Sequence, residues 1–113
     1  MAKGRTIDLT QVYHQADDAV AVTADTKVAV TLKFMVIQML LAEVDGEGKP
    51  LGSKAKMDRY ELYSRIKRAG DTIDLPAEDI TLIKDAAKAF NTLVMGQTHE
   101  MLEREYAPAA PAA

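Results

Sequence analysis

The sequence predicts an α+β fold: a short N-terminal β-meander followed by a bundle of three to four helices around a central apolar helix. Three observations carry this expectation. From Thr31 to Val44 the chain reads TLKFMVIQMLLAEV, where only Lys33, Gln38 and Glu43 are strongly polar, so a helix there is apolar around most of its circumference. Downstream, two segments place apolar residues at helical spacing. Upstream, short β-branched runs alternate with polar residues.

In chain order, residues 6 to 12 (TIDLTQV) alternate Ile7 and Leu9 against Thr6, Asp8 and Thr10 with the period of a strand. Asp17-Asp18 reads as a turn, and the runs Ala19–Val22 and Lys27–Val30 complete the meander. Thr31 is the expected N-cap of the central helix. That helix is expected to end at the stretch from Asp45 to Gly52, where three glycines and a proline in eight residues favour turns. Ser53 is the expected cap of the next helix, and Gly70 its left-handed stop. At 100° per residue, Ala55, Leu62, Ile66 and Ala69 share one face with Tyr63 at its edge, while Met57, Tyr60 and Ser64 lie opposite. Arg59 falls within the apolar face and is expected to snorkel. After an extended Asp71–Leu75, Pro76 opens a third helix with Ile80, Ile83, Ala86, Ala87 and Phe90 on one stripe and Glu78 and Asp79 at its positive end. A last helix from Thr92 to Tyr106 buries Val94, Met101 and Leu102. Residues 1–106 thus read as a single globular domain, with 107–113 (APAAPAA) as a mobile tail.

Composition bounds the function. The 113 residues suffice for one modest core. The absence of cysteine excludes disulfides and thiol chemistry, and MAKGRTIDLT carries no apolar stretch of a secretory signal, so the expected location is cytoplasmic. The central segment is shorter than the about 20 residues a bilayer demands, so no membrane partner is expected. Charge is distributed unevenly: residues 49–69 hold seven Lys/Arg against two Asp/Glu, between flanks that are both acidic.

Motifs that promise chemistry fail on inspection. His99-Glu100-Met101-Leu102-Glu103 begins like the H-E-x-x-H zinc signature, but its second histidine is a glutamate and the other histidine of the chain, His14, lies in a distant segment. Asp45-Gly46-Glu47-Gly48-Lys49-Pro50 places lysine and proline where a calcium loop needs an oxygen ligand and a glycine. The same glycines come after a helix and lack the G-K-[ST] of a phosphate cradle. Ser53 and Ser64 sit in no nucleophile motif. The sequence therefore predicts no catalytic residues, no metal and no cofactor. Thr6–Leu9 recurs as Thr72–Leu75, but the residues after the two copies do not match, so the recurrence reads as coincidence and not as a repeat architecture.

A short strand-rich N-terminus followed by the phrases TLKFMVIQMLL, RYELYSRI, DLPAEDITLIKDAAKAF and TLVMGQTHEMLE, together covering residues 6 to 105, resembles small proteins encoded by tailed bacteriophages. What the resemblance implies is a tail-assembly chaperone or an inhibitor of a host factor, acting in the host cytoplasm by binding another protein. It carries over no functional residues.

The expected function is a non-enzymatic protein-binding or assembly module, phage-encoded and self-associating as a homodimer. The expected partner surface comprises Lys56, Met57, Tyr60, Ser64, Arg65, Lys67 and Arg68. Phe34, Met35, Ile37, Met39 and Leu41 are expected to form the core and the self-association seam, because a few single-striped helices do not enclose a helix that is apolar all round. The alternative is a nucleic-acid-binding regulator using the basic helix 54–68, whose lysines and arginines interleave with Tyr60 and Tyr63.

Overall fold

The two Thr-Ile-Asp-Leu phrases pair with each other. In the computed structural model, which describes residues 4–106, strand β1 (Arg5–Asp8) lies antiparallel to β2 (Thr72–Leu75) in the register Arg5↔Leu75, Thr6↔Asp74, Ile7↔Ile73 and Asp8↔Thr72. Antiparallel pairing of identical Thr-Ile-Asp triplets sets isoleucine on isoleucine and threonine on aspartate. The Thr6 hydroxyl accordingly donates to Asp74 Oδ1 at 2.5 Å. The recurrence marks a strand pair and no repeat unit. The outer edge of β1 is covered in turn, since Tyr106 N–H donates to Thr6 O at 2.8 Å.

The expected meander forms through single bridges instead of ladders. Val12↔Thr31, His14↔Val20 and Val22↔Ala29 are isolated antiparallel bridges. Three bonds close them into a ring: Tyr13 N–H donates to Val30 O, Val30 N–H to Ala21 O and Ala21 N–H to Tyr13 O, each at 2.8–2.9 Å. Each segment shares its backbone between two neighbours, so no pair extends into a ladder. Asp18 and Lys27 reverse the chain with left-handed φ values of 68° and 56°.

Four helices complete the chain: α1 (Leu32–Leu41), α2 (Ser53–Arg68), α3 (Ala77–Ala87) and α4 (Thr92–Glu103). Thr31 caps α1 as the sequence predicts, accepting from Phe34 N–H at 3.2 Å. The helix stops three residues short of Val44, because Val44 is drawn into a bridge with Pro50 across the Asp45–Lys49 turn. Ser53 is the first helical residue of α2, not its cap; extended Gly52 takes the cap position with no side-chain bond. Gly70 is not left-handed either. The chain leaves α2 at an extended Ala69 (ψ 152°) and runs straight toward β2, so no reversal is needed. The third helix ends at Ala87, and Asn91 caps α4 by accepting from Val94 N–H at 2.9 Å. The expected tail 107–113 lies outside the described residues.

The core gathers Ile7, Leu9, Tyr13, Leu32, Val36, Leu62, Ile66, Leu75, Ile83 and Leu102, with Met39, Ala86 and Ala87 in a second cluster. Tyr13 is buried to 2% exposure, and its hydroxyl meets Thr98 Oγ1 at 2.5 Å. Since the Thr98 hydroxyl donates to Val94 O at 2.8 Å, the tyrosine is the donor of that pair. Burial pushes the Tyr13 hydroxyl up to about 12, the Thr98 bond offsetting it only in part.

Candidate interaction surface

Three contacts fix α1 and α2 as antiparallel neighbours. Lys33 Nζ donates to Ala69 O at 2.6 Å, Arg59 Nη1 donates to Met39 O at 3.2 Å and Ala42 O at 2.9 Å, and Lys56 pairs with Glu43 at 3.5 Å. The residue opposite position n of α1 is therefore close to position 100 − n of α2. Arg59 does not snorkel. It is 5% exposed, with its guanidinium turned inward onto the last carbonyls of α1, where no solvent path is needed because those acceptors satisfy it. Desolvation lowers its pKa, while Asp85 and Asp45 act in the opposite sense.

This register sorts the residues expected to form the core and seam. Met39 is fully buried and Met35 partly so; both belong to the interior. Phe34 and Leu41 are 43% and 51% exposed, with Ile37 half-buried between them. Spacing of three and four puts these three on one outer stripe of α1. On α2, the Lys56–Glu43 pair marks the flank facing α1, and Tyr60, Tyr63 and Lys67 continue that flank at helical spacing. Leu41 thus lies across from Tyr60, Ile37 from Tyr63, and Phe34 from Lys67. Tyr60 and Met57 are 58% and 57% exposed. The Tyr60 and Tyr63 rings meet at 5.9 Å in a tilted pair, and Lys67 Nζ stands 5.8 Å from the Tyr63 centroid. Phe34, Ile37 and Leu41 of the expected core and seam thus lie on the same side as Tyr60 of the expected partner surface, while Met35 and Met39 are interior and Ser64, Arg65 and Arg68 lie elsewhere.

The basic helix is less free than its composition suggests. Lys54 pairs with Asp58 at 2.9 Å, Lys56 with Glu43, Lys49 with Glu47 at 3.6 Å, and Arg65 with Asp79 of α3 at 2.6 Å. Arg59 is spent on backbone carbonyls and Lys67 rests on Tyr63. Among the described residues, Arg68 is the cation of this segment with none of these ties. Ser64 and Arg68 line a shallow groove beside Tyr60, on the side away from α1.

The zinc-like phrase lies within α4, where His99 Nε2 is buried without a hydrogen-bond partner among the described residues. Glu103 is held by Arg5 at 3.1 Å and by Lys84, which together keep its carboxylate below the usual range, Lys84 contributing most. His14 belongs to the bridge ring, where the Gln97 amide clamps its backbone from both sides at 2.7 and 2.8 Å. Among the described residues, no three of His, Asp and Glu converge to hold a metal ion. A cleft of about 500 Å³ lies between His14, Asp18, Gln97 and Arg104, where Arg104 contacts Glu100 at 3.9 Å and donates to Gln11 at 3.1 Å. Among the described residues, no helix is long and apolar enough to cross a membrane. No protein-family model, curated protein or solved structure matches the chain.

Proposed function

We propose that this chain is a non-enzymatic protein-binding or assembly module that works through the α1–α2 face. The observation that carries the reading is the set of exposed apolar side chains Phe34 and Leu41 on α1, with half-buried Ile37 between them, and Tyr60 and Met57 on α2. Aromatic and methionine side chains concentrated on one patch, here with Lys56 and Lys67 along its α2 side, are the composition of interface centres. The charge of the basic helix is largely consumed by neighbours, which favours a protein partner over phosphate contacts. Phage origin, an assembly role and action in the host cytoplasm are parts of the proposal taken from the resemblance of the helical phrases to small tailed-phage proteins.

The test compares tagged wild-type protein with Tyr60→Glu, purified from producing cells that also express an untagged copy, with nuclease present throughout. Polypeptides held by wild type and lost with Tyr60→Glu, the untagged copy included, are the expected result. Retention of the same set by both proteins, or capture of nothing once nucleic acid is digested, would overturn the proposal.

A further inference from the structure

The segment from Val12 to His14 turns one edge of its backbone toward α4. Its other edge closes the bridge ring, since Tyr13 N–H donates to Val30 O and Tyr13 O accepts from Ala21 N–H. An extended chain alternates its backbone groups between two edges, so the N–H and C=O of Val12 and His14 face away from that ring. Val12 makes no backbone hydrogen bond among the described residues. His14 is bonded on both groups by one side chain: its N–H donates to Gln97 Oε1 at 2.7 Å, and its C=O accepts from Gln97 Nε2 at 2.8 Å. A residue of a neighbouring antiparallel strand makes the same two-point contact. A primary amide carries the donor and the acceptor of a peptide group, so Gln97 stands where a peptide would pair.

The cleft of about 500 Å³ opens beside this edge. Because Arg104 donates to Gln11 while Gln97 meets His14, α4 runs antiparallel to the segment, which sets Leu93 at the end of the cleft that Ala16 and Asp18 occupy. That end holds an exposed apolar side chain, Leu93, and a carboxylate, Asp18, which has no ion pair among the described residues. At the other end Glu100 stands 3.9 Å from Arg104 and offsets its charge.

We propose that this cleft is a second binding site, separate from the α1–α2 face, whose occupant is an extended peptide that adds as an antiparallel strand to Val12–His14 and carries a basic residue at its Asp18 end. The Gln97 amide holds the place of the peptide in the empty site and is displaced when the peptide enters. His14 then exchanges two bonds for two, and Val12 gains the partners it lacks. At about 3.3 Å per residue the edge from Val12 to Ala16 spans about 13 Å, which takes about five peptide residues. In the antiparallel direction the first of them lies opposite Ala16, within reach of Asp18, and the third lies opposite His14. The second and fourth place their side chains on the face of the edge that buries Tyr13, so apolar residues belong there.

Titration of the isotope-labelled full chain with the acetylated, amidated peptide Lys-Val-Thr-Val-Thr, followed by NMR, tests this. The backbone amides of Val12 and His14 and the side-chain amide of Gln97 are expected to shift together, with a Kd on the order of 100 μM. Methylating the nitrogen of the third peptide residue removes the N–H aimed at His14 O and should weaken binding at least about tenfold. Lysine to glutamate in the peptide, and Asp18→Asn in the protein, should each weaken it about threefold. Asparagine tolerates the left-handed φ of 68° at that position. Gln97→Ala leaves nothing to displace and should tighten binding roughly tenfold. The peptide variants are read on the unaltered protein, so they decide the matter even if Gln97→Ala does not fold. Signals that stay in place up to about 2 mM peptide overturn the proposal. So does binding indifferent to the methylated nitrogen. Shifts confined to Phe34, Leu41 and Tyr60 would put the peptide on the α1–α2 face, which overturns this site and leaves the reading of that face standing.

Discussion

Replacing Arg59 with methionine tests whether the α1–α2 pairing depends on an arginine that caps a neighbouring helix. Helix α1 ends with no basic residue in its last turn, and Arg59 Nη1 supplies donors to Met39 O and Ala42 O from across the interface. Each bond from a charged donor is worth roughly 1.5–3 kcal/mol. Against that stands the cost of keeping a guanidinium 5% exposed, which the variant no longer bears. Methionine keeps most of the apolar stem, so Arg59→Met isolates the carbonyl contacts and is expected to cost about 2 kcal/mol. Arg59→Ala also removes two buried methylenes at about 0.8 kcal/mol each, and should cost about 3.5 kcal/mol. Urea denaturation followed by far-UV circular dichroism, at a protein concentration low enough to keep the chain monomeric, measures both. Equal slopes with a lower midpoint are expected. A loss under about 0.5 kcal/mol for Arg59→Met would show that the two carbonyls find water readily and that α1 does not depend on this cap. An Arg59→Ala no worse than Arg59→Met would refute the contribution of the buried stem.

Other parts of the molecule respond to perturbation in their own ways. Because the Tyr13 hydroxyl is pushed up to about 12 in the folded chain, the neutral phenol is the favoured native form. Its contribution is complete below the unfolded value near 10 and is lost as the pH rises from there to 12, a loss of roughly 2–3 kcal/mol by linkage. Stability measured from pH 9 to 12 should fall less steeply in Tyr13→Phe than in wild type, and parallel curves would refute the assignment. Gly46 touches α3 so closely that a Cβ would stand 2.6 Å from Asp85 O, so Gly46→Ala should lift the 45–50 turn and cost about 1–3 kcal/mol in thermal unfolding. Met39→Lys should abolish folding, since the residue has no exposed surface, whereas Leu41→Lys two positions away should leave the melting temperature within a few degrees of wild type. Matching losses in those two variants would contradict the placement of the α1 stripe.

The helices were legible because their signals are local. Ile80, Ile83, Ala86 and Ala87 recur at the spacing of a single buried stripe, and all four are buried. The Thr31 cap and the acidic first turn of α3 act within a few positions of themselves. The strand pair was not legible, although its two halves were visible as a recurrence. Nothing in Thr72–Leu75 states that its partner lies in Arg5–Asp8, because strand pairing is decided by loop closure and by which faces the intervening helices leave open. Boundaries failed for a similar reason: Val44 belongs to the helical pattern of α1, and only competition with the Val44–Pro50 bridge removes it.

The same distinction governs the interaction surface. An all-round apolar helix states that it requires cover on every side, and the sequence carried that requirement without saying which side would lack it. The answer depends on Arg59, whose apparent misplacement on an apolar face is the price of fixing α2 at one rotation and one register beside α1. Once α2 covers the Lys33 side of α1, and α3 with the meander covers the sides of Met35 and Leu32, the residues left over are Phe34, Ile37 and Leu41. Tyr60 and Tyr63 then lie alongside them by geometry alone. A residue that reads as an exception to the pattern therefore decides where the exposed stripe falls, and so which surface a partner meets.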